Sequence, residues 1–253
     1  MKSLNAVRST MLACALALFP AAAYSQEGHH EWDYGAEHGP KHWGELKGEF
    51  ESCGAGKTQS PIDIRHAVPS KLEPIRFDYH PSPLHIIDNG HTIQVNYAPG
   101  SSISVGDQRY ELMQFHFHKP SEERVNGKRY PMVAHLVHKN ADGALAVIAV
   151  LLAQGQQNSL VKTLWANLPA EKEMEKVVEK TSINAARLIP GDHAYYTFAG
   201  SLTTPPCSEG VTWFVLVHPT QLSEAQVARF GKIYSGNARP VQPLNGRTVK
   251  VSQ

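Results

Sequence analysis

Residues 114–138, QFHFHKPSEERVNGKRYPMVAHLVH, contain the pattern that decides how this chain folds. In an extended strand, successive side chains point to opposite faces, so His116 and His118 share one face. The two intervening phenylalanines share the other face, which is typical of a strand buried on one side only. The two histidines are therefore either metal ligands or polar residues on the solvated face of a strand.

A hairpin signal lies just beyond these histidines. Asn126–Gly127 is the dipeptide most typical of a two-residue β-turn. Such a turn pairs positions whose residue numbers total 253, which places His135 directly opposite His118. His138 falls on the opposite face of its strand. We therefore predict that His116, His118 and His135 converge on one face as metal ligands.

Three histidines without an obvious fourth protein ligand are typical of an open catalytic zinc site, in which water completes the tetrahedron. A zinc ion held only by neutral ligands keeps its full charge and acidifies that water strongly. The pattern thus predicts a Zn²⁺ enzyme that generates hydroxide near neutral pH.

The rest of the chain alternates short strand patterns with turn signals. We predict one β-dominated α+β domain, built on a large twisted, mainly antiparallel (mixed) central sheet with short peripheral helices. Helical patterns cover 159–168 and 223–234, the second beginning with Ser223 as N-cap. Strand patterns cover 84–97, 102–118, 131–140, 144–153, 195–204 and 211–219.

Composition and the N-terminus indicate an exported chain. The formal net charge is +1, so nothing in the charge balance favours a nucleic acid or an anionic membrane as partner. Residues 1–25 combine early basic residues, an apolar core and a small-residue end, as in a secretory signal peptide. We expect a secreted or periplasmic protein with one domain over 26–253 and no membrane contact after cleavage.

Two cysteines remain once the predicted signal peptide is removed. An even pair in an oxidising compartment favours a disulfide, here between Cys53 and Cys207. The bond would close a loop of about 150 residues, for which chain entropy allows several kcal/mol.

Several segments resemble the α-class carbonic anhydrases, in particular the exported bacterial branch. The resemblance runs from about Trp32 to Val249. Exported bacterial members often form homodimers, so the resemblance also implies a homodimer. The matching segments are QFHFHKPSE, AHLVH, GSLTTPPCSEGVTW (200–213), QSPIDI (59–64), NGH (89–91) and RPVQPLN (239–245).

The resemblance implies reversible hydration of carbon dioxide to bicarbonate and a proton, by attack of a zinc-bound hydroxide. Thr203 would accept a hydrogen bond from the hydroxide and donate its own proton to Glu122. Thr204 would contact bicarbonate or deep water. His91 would shuttle protons, because imidazole titrates near neutral pH, and Tyr34 would help to organise the water chain.

The resemblance also assigns the surroundings of the metal. Val137, Val147, Leu202 and Trp213 would form the apolar wall for the substrate. Gln114 would accept the outer N–H of His116, and the backbone carbonyl of Asn237 that of His118.

One position departs from the family pattern. The family usually has a glutamate two residues before the third histidine, and here that residue is Val133, which accepts no hydrogen bond. We expect a site that holds zinc less tightly than its relatives, unless another acceptor substitutes. Two alternative functions remain: a three-histidine zinc esterase, and a metal-poor, non-catalytic member of the family.

Overall fold

The computed structural model describes residues 31–253. The predicted signal peptide lies outside the described residues. The strands are β1 (Asp63–Ile64), β2 (Val68–Ser70), β3 (Arg76–Asp78), β4 (Ser82–Asp88), β5 (Ile93–Asn96), β6 (Ser102–Val105), β7 (Gln108–His118), β8 (Arg124–Val125), β9 (Lys128–Arg129), β10 (Met132–Lys139), β11 (Leu145–Gln154), β12 (Lys176–Ile183), β13 (Tyr195–Ser201), β14 (Glu209–Leu216), β15 (Thr220–Leu222) and β16 (Lys250–Ser252).

The helices are short and lie at the periphery. They are α1 (Trp43–Leu46), α2 (Ser52–Ala55), α3 (Ser159–Ala166) and α4 (Glu224–Gly231), with 3₁₀ turns at Gly48–Phe50 and Ala185–Leu188. The predicted N-cap is present: Ser223 accepts from the backbone of Gln226, whose side chain accepts from the backbone of Ser223. No helix within residues 31–253 is long and apolar enough to cross a bilayer.

Most strands of the described chain belong to one mixed sheet, as predicted. Its main order is β12-β4-β5-β7-β10-β11-β14-β13-β16-β2; in addition β6 pairs with β7, β3 pairs with β6, and β15 pairs with β11. Neighbours are antiparallel except where β11 meets β14 and β15 and where β16 meets β2. Strands β1, β8 and β9 form a separate small sheet.

The predicted hairpin register is correct near the turn and wrong in the long strands. In β8 and β9 the paired residue numbers total 253, as expected for a turn at 126–127. In β7 and β10 they total 251 from Val133 to Val137, so His135 faces His116, and Val133 faces His118; after a bulge between Val137 and His138 they total 250. The chain before the turn therefore contains two more residues than the chain after it. They lie in the segment 119–123, which leaves the ladder between β7 and β8.

A shift of two residues leaves every side chain on its predicted face, because the side-chain period of a strand is two. The three histidines thus share a face despite the wrong register. Val137 also keeps its face but pairs with Gln114 instead of His116. His138 lies on the other face, where its Nε2 is 2.7 Å from the Tyr79 hydroxyl.

The core has a large cluster on one side of the sheet and a smaller one on the side of the histidines. In the large cluster, Phe117 packs against Trp165 of α3 and Phe230 of α4. This apolar packing fixes β7, so that its opposite face presents His116 and His118.

The predicted disulfide is present. Cys53 in α2 and Cys207 are bonded, and both are buried beside Trp43 and Phe50. The bond ties the N-terminal segment to the loop that follows Thr204, whose carbonyl accepts from the Cys207 N–H at 2.8 Å.

Candidate metal centre

His116, His118 and His135 converge at the centre of the sheet. One nitrogen of each lies within 4.8 Å of the other two. His118 and His135 are each only 1% exposed, so bulk water does not reach their side chains. His116 and His118 lie on β7 and His135 lies on β10. The two strands pair directly, so the three side chains share one face.

The first two histidines have acceptors for their outer nitrogens. Nδ1 of His116 is 2.8 Å from Oε1 of Gln114, and Nδ1 of His118 is 2.7 Å from the carbonyl oxygen of Asn237. An acceptor at Nδ1 requires the proton there, which leaves a lone pair on Nε2. Nε2 of His118 is buried and has no hydrogen-bond partner among the described residues. A buried, orphaned lone pair aimed at two other imidazoles fits a metal ligand.

The third histidine also has an acceptor, although Val133 cannot supply one. Nε2 of His135 is 2.9 Å from Oε1 of Glu123, and both side chains are fully buried or nearly so. Burial lowers the pKa of His135, but the charge and hydrogen bond of Glu123, together with the charge of Glu122, outweigh burial, so the pKa is raised. Weak zinc binding was expected unless another acceptor substitutes for the missing glutamate at position 133. Glu123 is such an acceptor. The sequence signal for this acceptor is the pair of adjacent glutamates, Glu122 and Glu123, of which the sequence analysis gives a role only to Glu122.

Glu122 lies on the inner side of the histidines. Its Oε1 accepts from the backbone N–H of Arg239 at 2.7 Å, and its Oε2 is 3.5 Å from Nε2 of His118. Burial raises the pKa of Glu122 to about 7, against the opposing effects of His135, the Thr203 side chain and the Arg239 N–H. Thr203 itself is buried.

A pocket of about 110 Å³ leads to the histidines. His91 lines it, with its ring stacked on Trp32 at 3.6 Å between centroids and 7° between planes. Burial raises the pKa of Tyr34 well above its usual range, so this hydroxyl stays protonated. Trp32 was not predicted as a site residue, because nothing in an irregular Trp-rich segment reveals a stacking partner. The pocket is lined by Trp32, Tyr34, Asn89, His91, Thr92, Gln94, Gln114, His116, His118 and Thr204.

The predicted apolar wall belongs to the smaller core cluster. Val147 pairs with Val137 on one side and with Trp213 on the other, so the three lie in one row across β10, β11 and β14. The Trp213 ring packs edge-on against His135 at 4.9 Å. Leu202 and Val137 pack against the same cluster, so all four predicted residues belong to one apolar cluster, which contacts His135 through Trp213.

Comparison with known proteins agrees with this arrangement. The family model described as eukaryotic-type carbonic anhydrase matches residues 38–253. The chain therefore belongs to the α-carbonic anhydrase family.

The relatives include bacterial enzymes and solved structures. The chain is 46% identical to a carbonic anhydrase of Klebsiella pneumoniae over 93% of its own length and 95% of the relative. It is 42% identical to one of Pectobacterium carotovorum, with 94% and 98% covered. A hyperthermostable carbonic anhydrase from a hydrothermal vent chimney superimposes with a TM-score of 0.85 at 47% identity, covering 88% of this chain and 100% of that one.

Proposed function

We propose that this chain catalyses the reversible, zinc-dependent hydration of carbon dioxide to bicarbonate and a proton. His116, His118 and His135 would hold the metal. The observation that carries the proposal is the set of three histidines, two of them buried and His116 partly exposed, each with its outer nitrogen at an acceptor and one nitrogen within 4.8 Å of the other two. Bound zinc supplies a coordinated water that ionises near neutral pH, a property for which carbonic anhydrases are the standard example.

Glu122 and Thr203 would orient the reacting water. The backbone N–H of Arg239 fixes one oxygen of Glu122, so the carboxylate has a single position. If the Thr203 hydroxyl donates to that carboxylate, its oxygen can only accept from the reacting water. One lone pair of that water then points to the substrate, which is a contribution of orientation. Thr204, which lines the pocket, would contact bicarbonate or the deep water.

The apolar wall would hold carbon dioxide beside the metal. Val137, Val147 and Leu202 have no polar side-chain atoms, and the indole N–H of Trp213 already donates to the Ser201 carbonyl at 3.0 Å. An apolar, uncharged substrate would be accommodated there. The bicarbonate anion would lose hydration beside this wall without gaining hydrogen bonds, which favours its release.

His91 would carry the released proton to buffer. It lines the same pocket as His116, and its imidazole can both accept and donate a proton near neutral pH. Tyr34 stays protonated and can donate to water in the pocket.

Export is part of the proposal. The Cys53–Cys207 disulfide supports an oxidising compartment, in agreement with residues 1–25 as a signal peptide and 26–253 as the catalytic domain. The protein would act as a secreted or periplasmic enzyme.

The proposal is tested by stopped-flow hydration of carbon dioxide together with metal analysis. His135→Gln should lose both zinc and hydration, whereas His138→Gln, a buried histidine on the opposite face of the same strand, should keep both. A parent that binds little zinc and does not hydrate carbon dioxide would favour the metal-poor, non-catalytic alternative. Zinc-dependent cleavage of an activated ester without hydration would favour the esterase.

A further inference from the structure

We infer that Glu123 is the positioning residue that holds His135 in its metal-binding tautomer, in place of a carboxylate at position 133. The inference rests on the proposed function, since it assumes that His135 is a metal ligand.

The hydrogen bond defines the tautomer. Oε1 of Glu123 is 2.9 Å from Nε2 of His135, and an ionised carboxylate only accepts, so the proton lies on Nε2. The lone pair is then on Nδ1, which faces inward, 3.8 Å from Oε2 of Glu122. His135 thus presents Nδ1 to the centre, whereas His116 and His118 present Nε2.

Glu123 is also the only carboxylate among the three acceptors. Gln114 offers an amide oxygen and Asn237 a backbone carbonyl, both neutral. A charged acceptor makes a stronger hydrogen bond and raises the basicity of the ligand it orients. His135 therefore depends more on its acceptor than either of the other histidines does.

The irregular segment before β8 explains why the carboxylate can come from position 123. The two additional residues on this side of the hairpin release 119–123 from the ladder, so Glu122 and Glu123 are both fully buried although they are neighbours. In a regular strand one of them would point away. The segment is fixed where Ser121 Oγ donates to the Glu123 carbonyl at 2.8 Å and accepts from the Tyr130 N–H at 3.0 Å.

Position 133 complements this arrangement. Val133 is fully buried, faces His118 across the ladder and packs in the smaller core cluster with Val147. A carboxylate at position 133 would be a third buried carboxylate in addition to Glu122 and Glu123, at a high desolvation cost. The apolar residue at 133 and the carboxylate at 123 therefore belong together.

Glu123 depends on His135 in turn. Its Oε2 is buried and has no hydrogen-bond partner within residues 31–253, so the bond through Oε1 to His135 is the side-chain contact that holds it. Removing such a second partner of a metal-bound histidine typically costs about 10–100-fold in metal affinity.

The test is the rate at which zinc passes to an excess of a strong chelator. Glu123→Gln, which keeps the shape and an amide oxygen but loses the charge, should release zinc about tenfold faster than the parent. Glu123→Ala should approach 100-fold. Adding Val133→Glu to Glu123→Ala should restore much of the zinc retention, because it returns a carboxylate acceptor to His135. If Glu123→Ala only damaged the fold, a second buried substitution would not restore it.

Glu175→Gln is the matched control. Glu175, just before β12, also lies beside a histidine, with Oε2 3.3 Å from Nδ1 of His85 in β4, but both of these side chains are partly exposed. Its zinc release should equal that of the parent. Release from both Glu123 variants within twofold of the parent would overturn the inference, while a parent that binds no zinc would overturn the proposed function as well. Visible spectra of the cobalt-loaded variants give a second readout: an unchanged spectrum for Glu123→Ala would also contradict the inference.

Discussion

The disulfide between Cys53 and Cys207 should contribute a large share of the stability of this protein. The two cysteines are 154 residues apart, so the bond constrains most of the unfolded chain. For a loop of this length the chain-entropy model gives about 5 kcal/mol at 25 °C, and measured values often fall below that limit. We therefore expect Cys53→Ala/Cys207→Ala to lower the free energy of unfolding by about 3–5 kcal/mol.

The assay is equilibrium unfolding in urea of zinc-stripped parent and variant, because bound metal would add its own binding free energy to the native state. Alanine at both positions removes the bond while keeping small apolar side chains beside Trp43 and Phe50. The reduced parent is the control and should unfold with the variant. A loss below about 1 kcal/mol, or two titratable thiols in the folded parent, would refute the reasoning.

Three further changes have defined outcomes. His91→Ala should slow hydration at least about tenfold in dilute buffer and recover with added imidazole; a rate insensitive to both would argue against a shuttle. Gln114→Ala should release zinc about 10–100-fold faster, and equal release would contradict its role as acceptor for His116. Burial lowers the pKa of His138 to about 3. Unfolding then takes up a proton at His138 below about pH 6.5, so the contribution of His138 to the free energy of unfolding should fall by about 1.4 kcal/mol per pH unit between pH 6.5 and 3. In stripped protein His138→Gln should show a shallower fall, and parallel curves would be the contrary result.

The convergence of the three histidines could be predicted from the sequence because it depends on parity alone. Any even register error leaves His116, His118 and His135 on one face, and the actual error was two residues. What the pattern does not encode is how many residues leave the ladder between β7 and β8. Turn chemistry fixes pairing close to Asn126–Gly127 and loses that control where the chain stops being a strand.

The acceptor for His135 could not be predicted for the same reason. Alternation places a strand residue on a face, whereas Glu123 lies in an irregular segment whose side-chain directions follow from hydrogen bonds such as those of Ser121. Strand β12 escaped prediction for a different reason. It is an edge strand with mostly exposed residues, so burial imposes no apolar period on Lys176–Ile183.

The central claim, that hydration of carbon dioxide depends on one zinc held by three histidines, is tested most directly by reloading stripped protein with zinc. Bound metal and stopped-flow hydration are measured on the same samples. The hydration rate should rise in proportion to bound zinc and saturate at one ion per chain, with no rise in His135→Gln. Hydration by the stripped protein, or a chain that fills with zinc and remains inactive, would contradict it.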